Sequence, residues 1–462
     1  MKKHVKHLVT LIVLIGMSAC EKDEIAPIES KPDLGSTDSE ALKNFNNGMI
    51  KSYHNDVVLK WNEAISLAID NKMPPPAEAR IYAMVSLAMH DALNTIVPKY
   101  ETTAVDNSGV DARGVSKKNI TPLADAAISQ AAFEVLTQLF PASQASADEL
   151  LATILSGIKD ADYRETGIAI GTAAASALLL KRQDDIPMGF SSYQMGTDPG
   201  VHQANYMPWA IANPPIWPNN AVYAANLGNL APFGMASGHQ FRAVPPYPIN
   251  SREYTADFNE VKRLGCTACP DRTDEQTEIG TFWIENVSSS TNRIARFMIH
   301  QEKLDGWEAA RLLALLHITQ IDANISSFEG KYFYNYWRPI TAIRAADTDG
   351  NENTTGDLGW TSISTTPPTP DYPSTHAYTG GAGSELLKLF FGRDKISIRV
   401  TSPYYLPGVE RKLTSFTQIG RENALSRIYI GFHFRKAVEE GEKKGRLLGK
   451  YVFEHALREL RH

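Results

Sequence analysis

Three stretches in the second half of the chain carry fixed cations, histidines and a hydroxyl at spacings that suit a small oxyanion. The first runs from Lys331 through Tyr332, Phe333, Tyr334, Asn335, Tyr336 and Trp337 to Arg338 and Pro339. Seven steps of about 100° end roughly 20° short of two turns, so on one helix both cations face the same way. Pro339 restricts Arg338 and ends that helix. Two solvated surface cations are the plain alternative, but the aromatic residues between them point to burial, and a buried cation needs an anion. The second stretch is Pro370, Asp371, Tyr372, Pro373, Ser374, Thr375 and His376, leading into a helical run with Gly380, Gly381, Ala382 and Gly383 that permits close packing. Ser374 is a natural N-cap. The helix start offers free N–H groups and a positive dipole, and His376 stands in its first turn. A capped helix with a surface histidine is the alternative. The third stretch holds Ser426, Arg427, Gly431 and His433. Arg427 and His433 are six apart, about 120° on an ideal helix, and meet one ligand only if the helix breaks. Gly431 is the natural break; a surface Arg and a buried His are the alternative. Taken together, the inventory suits a tetrahedral or trigonal oxyanion such as phosphate or vanadate. Arg supplies bidentate donors and Lys a point charge. One histidine can bond covalently to the central atom while the other moves protons.

Helical periodicity dominates the elements that must position these groups. It predicts helices over 77–97, 123–140, 145–158, 165–182, 273–288, 290–300, 306–326, 376–391, 409–428 and 434–458. The Ala-rich 165–182 run reads as buried. Residues 183–248 differ, being rich in Pro, Gly, Asn and aromatics, and read as long irregular loops, which at such length are more often functional than ornamental. Strand-like alternation is scarce and no fixed repeat is found. The expected fold is all-α: a large helical bundle with long irregular loops over 48–462, the motifs lying in 331–437. At 43% hydrophobic and 21% charged, the 462-residue chain has an ordinary globular balance, which excludes a disordered or collagen-like protein. The formal net charge is −6, and no long basic run follows the N-terminus, which argues against a nucleic-acid partner.

Residues 1–20 have a basic start, an apolar run from Leu8 to Met17, and Ser18-Ala19-Cys20, the pattern of a secretory signal. Cys20 after Met17, Ser18 and Ala19 resembles a bacterial lipobox, in which the Cys becomes the lipidated first residue. A plain signal peptide is the alternative. Glu21, Lys22, Asp23 and Glu24 resemble the export tags of surface lipoproteins in Gram-negative bacteria of the Bacteroidetes type. The expectation is a periplasmic or cell-surface lipoprotein of a Gram-negative bacterium, membrane-anchored through Cys20 only, with a polar tether over 21–47. Cys266 and Cys269 lack the second pair a zinc site needs. A redox dithiol is open, but an oxidising compartment favours a local disulfide.

The three stretches resemble the signature of the type-two phosphatidic acid phosphatase and haloperoxidase superfamily: K-x6-R-P, then P-S-G-H, then S-R-x5-H-x3-D. Two upstream runs, Tyr82 to Asn94 and Ala309 to His317, resemble its bacterial vanadium-dependent haloperoxidase branch. The resemblance implies a helical bundle and a vanadate cofactor. Lys331, Arg338 and Arg427 would bind its equatorial oxygens, and Ser374 and the Thr375 backbone N–H would add hydrogen bonds. His433 would be the axial ligand to vanadium, with His376 the acid–base group. The implied reaction is oxidation of halide by hydrogen peroxide. The alternatives are an acid phosphatase, in which His433 forms a phosphohistidine with a phosphate ester and His376 protonates the leaving alcohol, and an anion-binding surface lipoprotein with a decayed site. Homodimers are common in that superfamily, though no interface signal is seen. Four departures stand out. Thr375 replaces the motif Gly. Ala437 replaces the motif Asp, so a backbone carbonyl is expected to orient His433. Asn286 is loosely placed where fungal relatives carry an Asp that pairs with the motif Arg. Phe328 stands where some relatives have Trp.

Overall fold

Apolar residues at helical spacing fold as expected through most of the chain. The computed structural model describes residues 46–193, 196–203 and 221–460. Cys20, the signal segment and the tether up to residue 45 lie outside them, and residues 46–50 are already helical. The first half contains α1 (Asp56–Ile69), α2 (Pro75–Ile96), α3 (Ile120–Leu139), α4 (Gln144–Gly157) and α5 (Ala161–Lys181). The α5 helix corrects an expectation. Only Gly167, Gly171, Ala174, Ala175 and Leu178 are buried, while Leu180 is 65% exposed, so α5 covers α3 with one stripe. Its glycines make the close approach: a Cβ on Gly171 would stand 2.4 Å from the Ala127 carbonyl oxygen.

After a small antiparallel pair, β1 (Phe190–Ser192) with β2 (Ala221–Tyr223), come α6 (Arg252–Leu264), α7 (Asp274–Phe282) and α8 (Val287–Glu302). The chain leaves helical geometry between Phe282 and Val287, earlier than periodicity predicted, and this break leaves the Trp283 carbonyl available to the site. The α9 helix (Gly306–Tyr334) is the central strut, longer than expected and buried along nearly all of its 29 residues. Asp305 and Glu308 form its capping box. Then come α10 (Pro339–Ala345), α11 (Thr375–Phe390), an antiparallel hairpin of β3 (Lys395–Ser402) and β4 (Leu406–Ser415), α12 (Phe416–Tyr429) and α13 (Arg435–His455). The hairpin corrects the helix expected from 409. Ile396 and Ile398 alternate with exposed residues on β3, Arg411 and Leu413 do so on β4, and Gly408 turns at φ +83°. Arg411 is held inward by Glu422, at 3.0 Å. The class remains all-α. Among the described residues no helix is long and apolar enough to cross a membrane. Cys266 and Cys269 are joined as a disulfide.

The tightest joint is α11 against α13, where Gly441, Gly445 and Gly449 form a stripe one turn apart. A Cβ on Gly445 would lie 2.0 Å from the Tyr378 carbonyl oxygen, and one on Gly441 2.6 Å from that of Ser374. Backbone cannot swing aside as a side chain can. Gly445→Ala is therefore expected to destabilise the protein by about 1–3 kcal/mol, the range for overpacking, as read by denaturant unfolding. A variant as stable as the parent would show that the joint yields.

Candidate active site

The three motif stretches meet where α9 ends, α11 begins and α12 passes into α13. Lys331 sits in the last turn of α9, but the helix ends at Tyr334, and Asn335 caps it in the left-handed region at φ 49°. The two cations therefore do not share a helix, contrary to the spacing argument. The chain reverses through buried Trp337, and Arg338 arrives as the N-cap of α10. Pro339 is the first residue of the following helix as well as a stop for the preceding one.

Arg338 is fixed on every side. Its Nε donates to the Thr369 carbonyl at 2.8 Å, Nη2 to Thr369 Oγ1 at 2.9 Å and Nη1 to the Phe432 carbonyl at 2.9 Å. The same Nη1 lies 3.0 Å from Nε2 of His433. Lys331 Nζ donates to the carbonyls of Pro370 at 2.7 Å and Asp371 at 3.0 Å. On the other side, Arg427 Nη2 and His376 Nε2 both meet the Trp283 carbonyl, at 2.5 and 2.8 Å. Gly431, at φ +79°, breaks the chain after α12 as expected, and His433 follows outside the helix, just before α13. The charges of Arg338, Lys331, Arg427 and His376 all act on His433, so the four groups lie within electrostatic reach of its imidazole.

The residue that the sequence argument passed over is Asp371. It is fully buried, and its Oδ1 lies 2.8 Å from Nδ1 of His433. The expected backbone carbonyl is not the partner. A carboxylate from the loop before α11 lies beside the ring instead, while the motif Asp position holds Ala437. Ala437 contributes its own carbonyl, which accepts the Ser374 N–H at 3.0 Å. Ser374 caps α11 as predicted, accepting the Ala377 N–H at 3.4 Å. Thr375 turns its hydroxyl to Ser327 on α9, 3.0 Å away, so its added side chain points away from the helix start. Asn286 is a further correction: its side chain donates to Glu78 at 2.7 Å and takes no part with Arg338 or Arg427. Arg427 instead uses the main chain of Trp283. Phe328 is buried beside Tyr332 on α9. His90 and His317, from the two upstream runs, lie in the core, where His317 bonds Ser86 at 2.8 Å.

Lys331, Arg338 and Arg427 are each no more than 3% exposed, with one carboxylate among them. Burial pushes Lys331 well down, Arg338 to about 10 and Arg427 to about 9. A guanidinium keeps its proton in proteins, so Arg338 and Arg427 stay charged despite their burial. Burial raises Asp371 to about 7 against the pull of Arg338 and Lys331. Burial and then the surrounding cations drive His433 well down, which keeps its imidazole neutral. With the Asp371 carboxylate 2.8 Å from Nδ1, the neutral imidazole favours the tautomer protonated there, which leaves the lone pair at Nε2.

Known proteins share both the sequence pattern and the fold of this chain. Residues 37–214 match the family model for the vanadium chloroperoxidase N-terminal domain, and residues 311–462 match that for the vanadium chloroperoxidase (VCPO) second helical-bundle domain. The chain belongs to the vanadium haloperoxidase family. It is 24% identical to the vanadium chloroperoxidase of Curvularia inaequalis over 492 aligned positions, covering 83% of this chain and 79% of that protein. Its fold is that of the first bacterial vanadium-dependent iodoperoxidase, with a TM-score of 0.69 at 24% identity over 88% of this chain and 96% of the other. A holo-type bacterial vanadium-dependent chloroperoxidase superposes with a TM-score of 0.67 at 18% identity, over 84% and 93%. For a vanadium haloperoxidase the donor set fits the implied cofactor. Three buried cations, a capping hydroxyl, a helix start and an imidazole whose Nε2 faces the Arg338 guanidinium suit an oxyanion.

Proposed function

We propose that this family member oxidises halide with hydrogen peroxide at a vanadate held by His433. The observation that carries the reading is the Asp371–His433 pair at 2.8 Å, set beside three buried cations. Lys331, Arg338 and Arg427 would neutralise the oxyanion's negative charge, and Ser374 and the Thr375 N–H would donate to its oxygens. When bound, vanadate supplies an electrophilic centre that activates peroxide toward halide. Asp371, 2.8 Å from Nδ1, would favour the proton there, and Nε2 of His433 would exchange its contact with Arg338 Nη1 for the bound group. His376 would move a proton at Nε2, exchanging its bond to the Trp283 carbonyl for one to the bound group. Burial and Arg427 lower its proton affinity, and an anion beside Arg427 would relieve the second of these effects. The two departures that favour a decayed site lose force, because Thr375 is engaged with Ser327 and Asp371 stands in for the missing motif carboxylate.

The test adds orthovanadate to apo-protein and follows peroxide consumption with chloride, bromide and iodide. Vanadate-dependent turnover of at least one halide is expected. Inertness toward all three, together with His433-dependent hydrolysis of p-nitrophenyl phosphate, would replace this reading with the phosphatase one. Inertness in both assays would leave an anion-binding protein. The mature chain is further proposed to sit outside the cytoplasm, lipid-anchored at Cys20, and the Cys266–Cys269 disulfide supports an oxidising compartment. Cys20→Ser should shift the protein from the membrane to the soluble fraction, and unchanged fractionation would remove the anchor.

A further inference from the structure

The loop region that sequence patterning left without a role places a third histidine beside the turn that joins Lys331 to Arg338. The segment around His202 docks on the turn that links the two cations of the first motif. The His202 N–H donates to the Asn335 carbonyl at 2.8 Å, Val201 bridges to Tyr336, and the Trp337 N–H donates to the Gly200 carbonyl at 2.9 Å. Tyr193 adds a second tie, its hydroxyl bonding the Asn335 side chain, and its ring centroid lies 5.7 Å from that of His202. His202 is 2% exposed, yet among the described residues neither ring nitrogen has a hydrogen-bond partner. Buried polar atoms are nearly always satisfied, so two orphaned nitrogens on one ring call for an explanation. The charges that act on this imidazole are Arg338 and then Lys331, with no carboxylate among them. An imidazole used only for packing sits poorly here: it buries two polar atoms without partners, where a phenyl ring would bury none.

We infer that His202 is a binding residue of the cup, donating one ring N–H to a tetrahedral oxyanion held between Lys331 and Arg338. This rests on the reading of the cup as an oxyanion site and extends it, because the family motifs assign nothing to this loop. The ligand chemistry is shared by vanadate and by the phosphate group of an ester.

The experiment measures orthovanadate and inorganic phosphate binding by titration calorimetry, and thermal unfolding without either anion, for the full chain and two variants. His202→Phe keeps a ring and deletes both nitrogens. His202→Gln keeps an N–H donor. A hydrogen bond to a charged group predicts binding roughly 10- to 100-fold weaker in His202→Phe, and within about threefold of wild type in His202→Gln. Without anion, His202→Phe should be at least as stable as wild type, since it removes orphaned polar atoms. A packing role predicts the opposite sign. Weakening for vanadate alone or for phosphate alone supports the inference and names the source. Equal binding by His202→Phe and wild type overturns it, as does a loss of unliganded stability that His202→Gln does not restore. Should His202→Phe fail to fold, the role is overturned if His202→Gln loses binding as completely as His202→Ala. A wild-type protein that binds neither anion would instead remove the oxyanion reading itself.

Discussion

His433→Ala should abolish vanadate-dependent halide oxidation, lowering turnover by at least about a thousandfold, the scale seen when a group acting directly at a reacting centre is deleted. The size of the effect follows from the geometry. Of the two motif imidazoles, His376 and His433, it is His433 that has a carboxylate beside its Nδ1, Asp371 at 2.8 Å, which sets up its Nε2 as the ligand. Arg338 would remain, held by Thr369 and the Phe432 carbonyl, so the positive cup would survive without its anchor. The fold should survive as well. Asp371 loses its partner, but burial already raises its pKa to about 7, and at or below that pH it can take up a proton instead of standing as an unpaired charge. The measurement is steady-state peroxide oxidation with orthovanadate in excess, alongside circular dichroism to establish folding. A folded variant keeping a tenth of wild-type turnover would exclude His433 as the anchor.

The second large effect concerns Asp371. Asp371→Ala removes the acceptor of the Nδ1 proton and frees the other tautomer, in which Nε2 carries the hydrogen and cannot act as a ligand. Orthovanadate affinity and halide turnover should both fall roughly 10- to 100-fold, the usual cost of losing the partner of a ligating histidine. Asp371→Asn, which keeps an acceptor oxygen but no charge, should lose less. Ala437→Asp returns a carboxylate to the motif position one turn beyond His433, and in the Asp371→Ala background it should recover part of the loss. Nitrogen-15 spectra of labelled protein give an independent readout, because the His433 tautomer ratio should shift in Asp371→Ala and shift back in the double variant. A single variant with wild-type vanadate affinity and an unchanged tautomer would reassign Asp371 to structure.

The local part of this protein is written in short-range pattern. Apolar spacing gives the helical class and most helix bounds, because a buried stripe recurs every 3.6 residues whatever it packs against. Ser374 as a cap and Gly431 as a break are likewise legible, since each depends on backbone chemistry within a few residues. Lys331, Arg338, Ser374, His376, Arg427 and His433 could be proposed from residue type and spacing, and Thr375 from the family resemblance.

What lies between those residues was decided by the tertiary structure. The same-face argument for Lys331 and Arg338 failed because Asn335 adopts the left-handed conformation and ends α9 early, yet packing of the turn returns both cations to one cup. The helix expected from 409 became a hairpin strand, whose pairing with β3 a window over that segment alone does not contain. Asp371 reads in sequence as a turn residue beside prolines, and His202 as one residue in a loop-rich stretch. Their roles rest on contacts with segments far along the chain, and such contacts leave no periodic trace. The sequence by itself determined which groups are available and which stretches are helical, because those depend on neighbours in the chain. Only the folded packing decided which carboxylate meets which imidazole, because that depends on distances set by every helix at once.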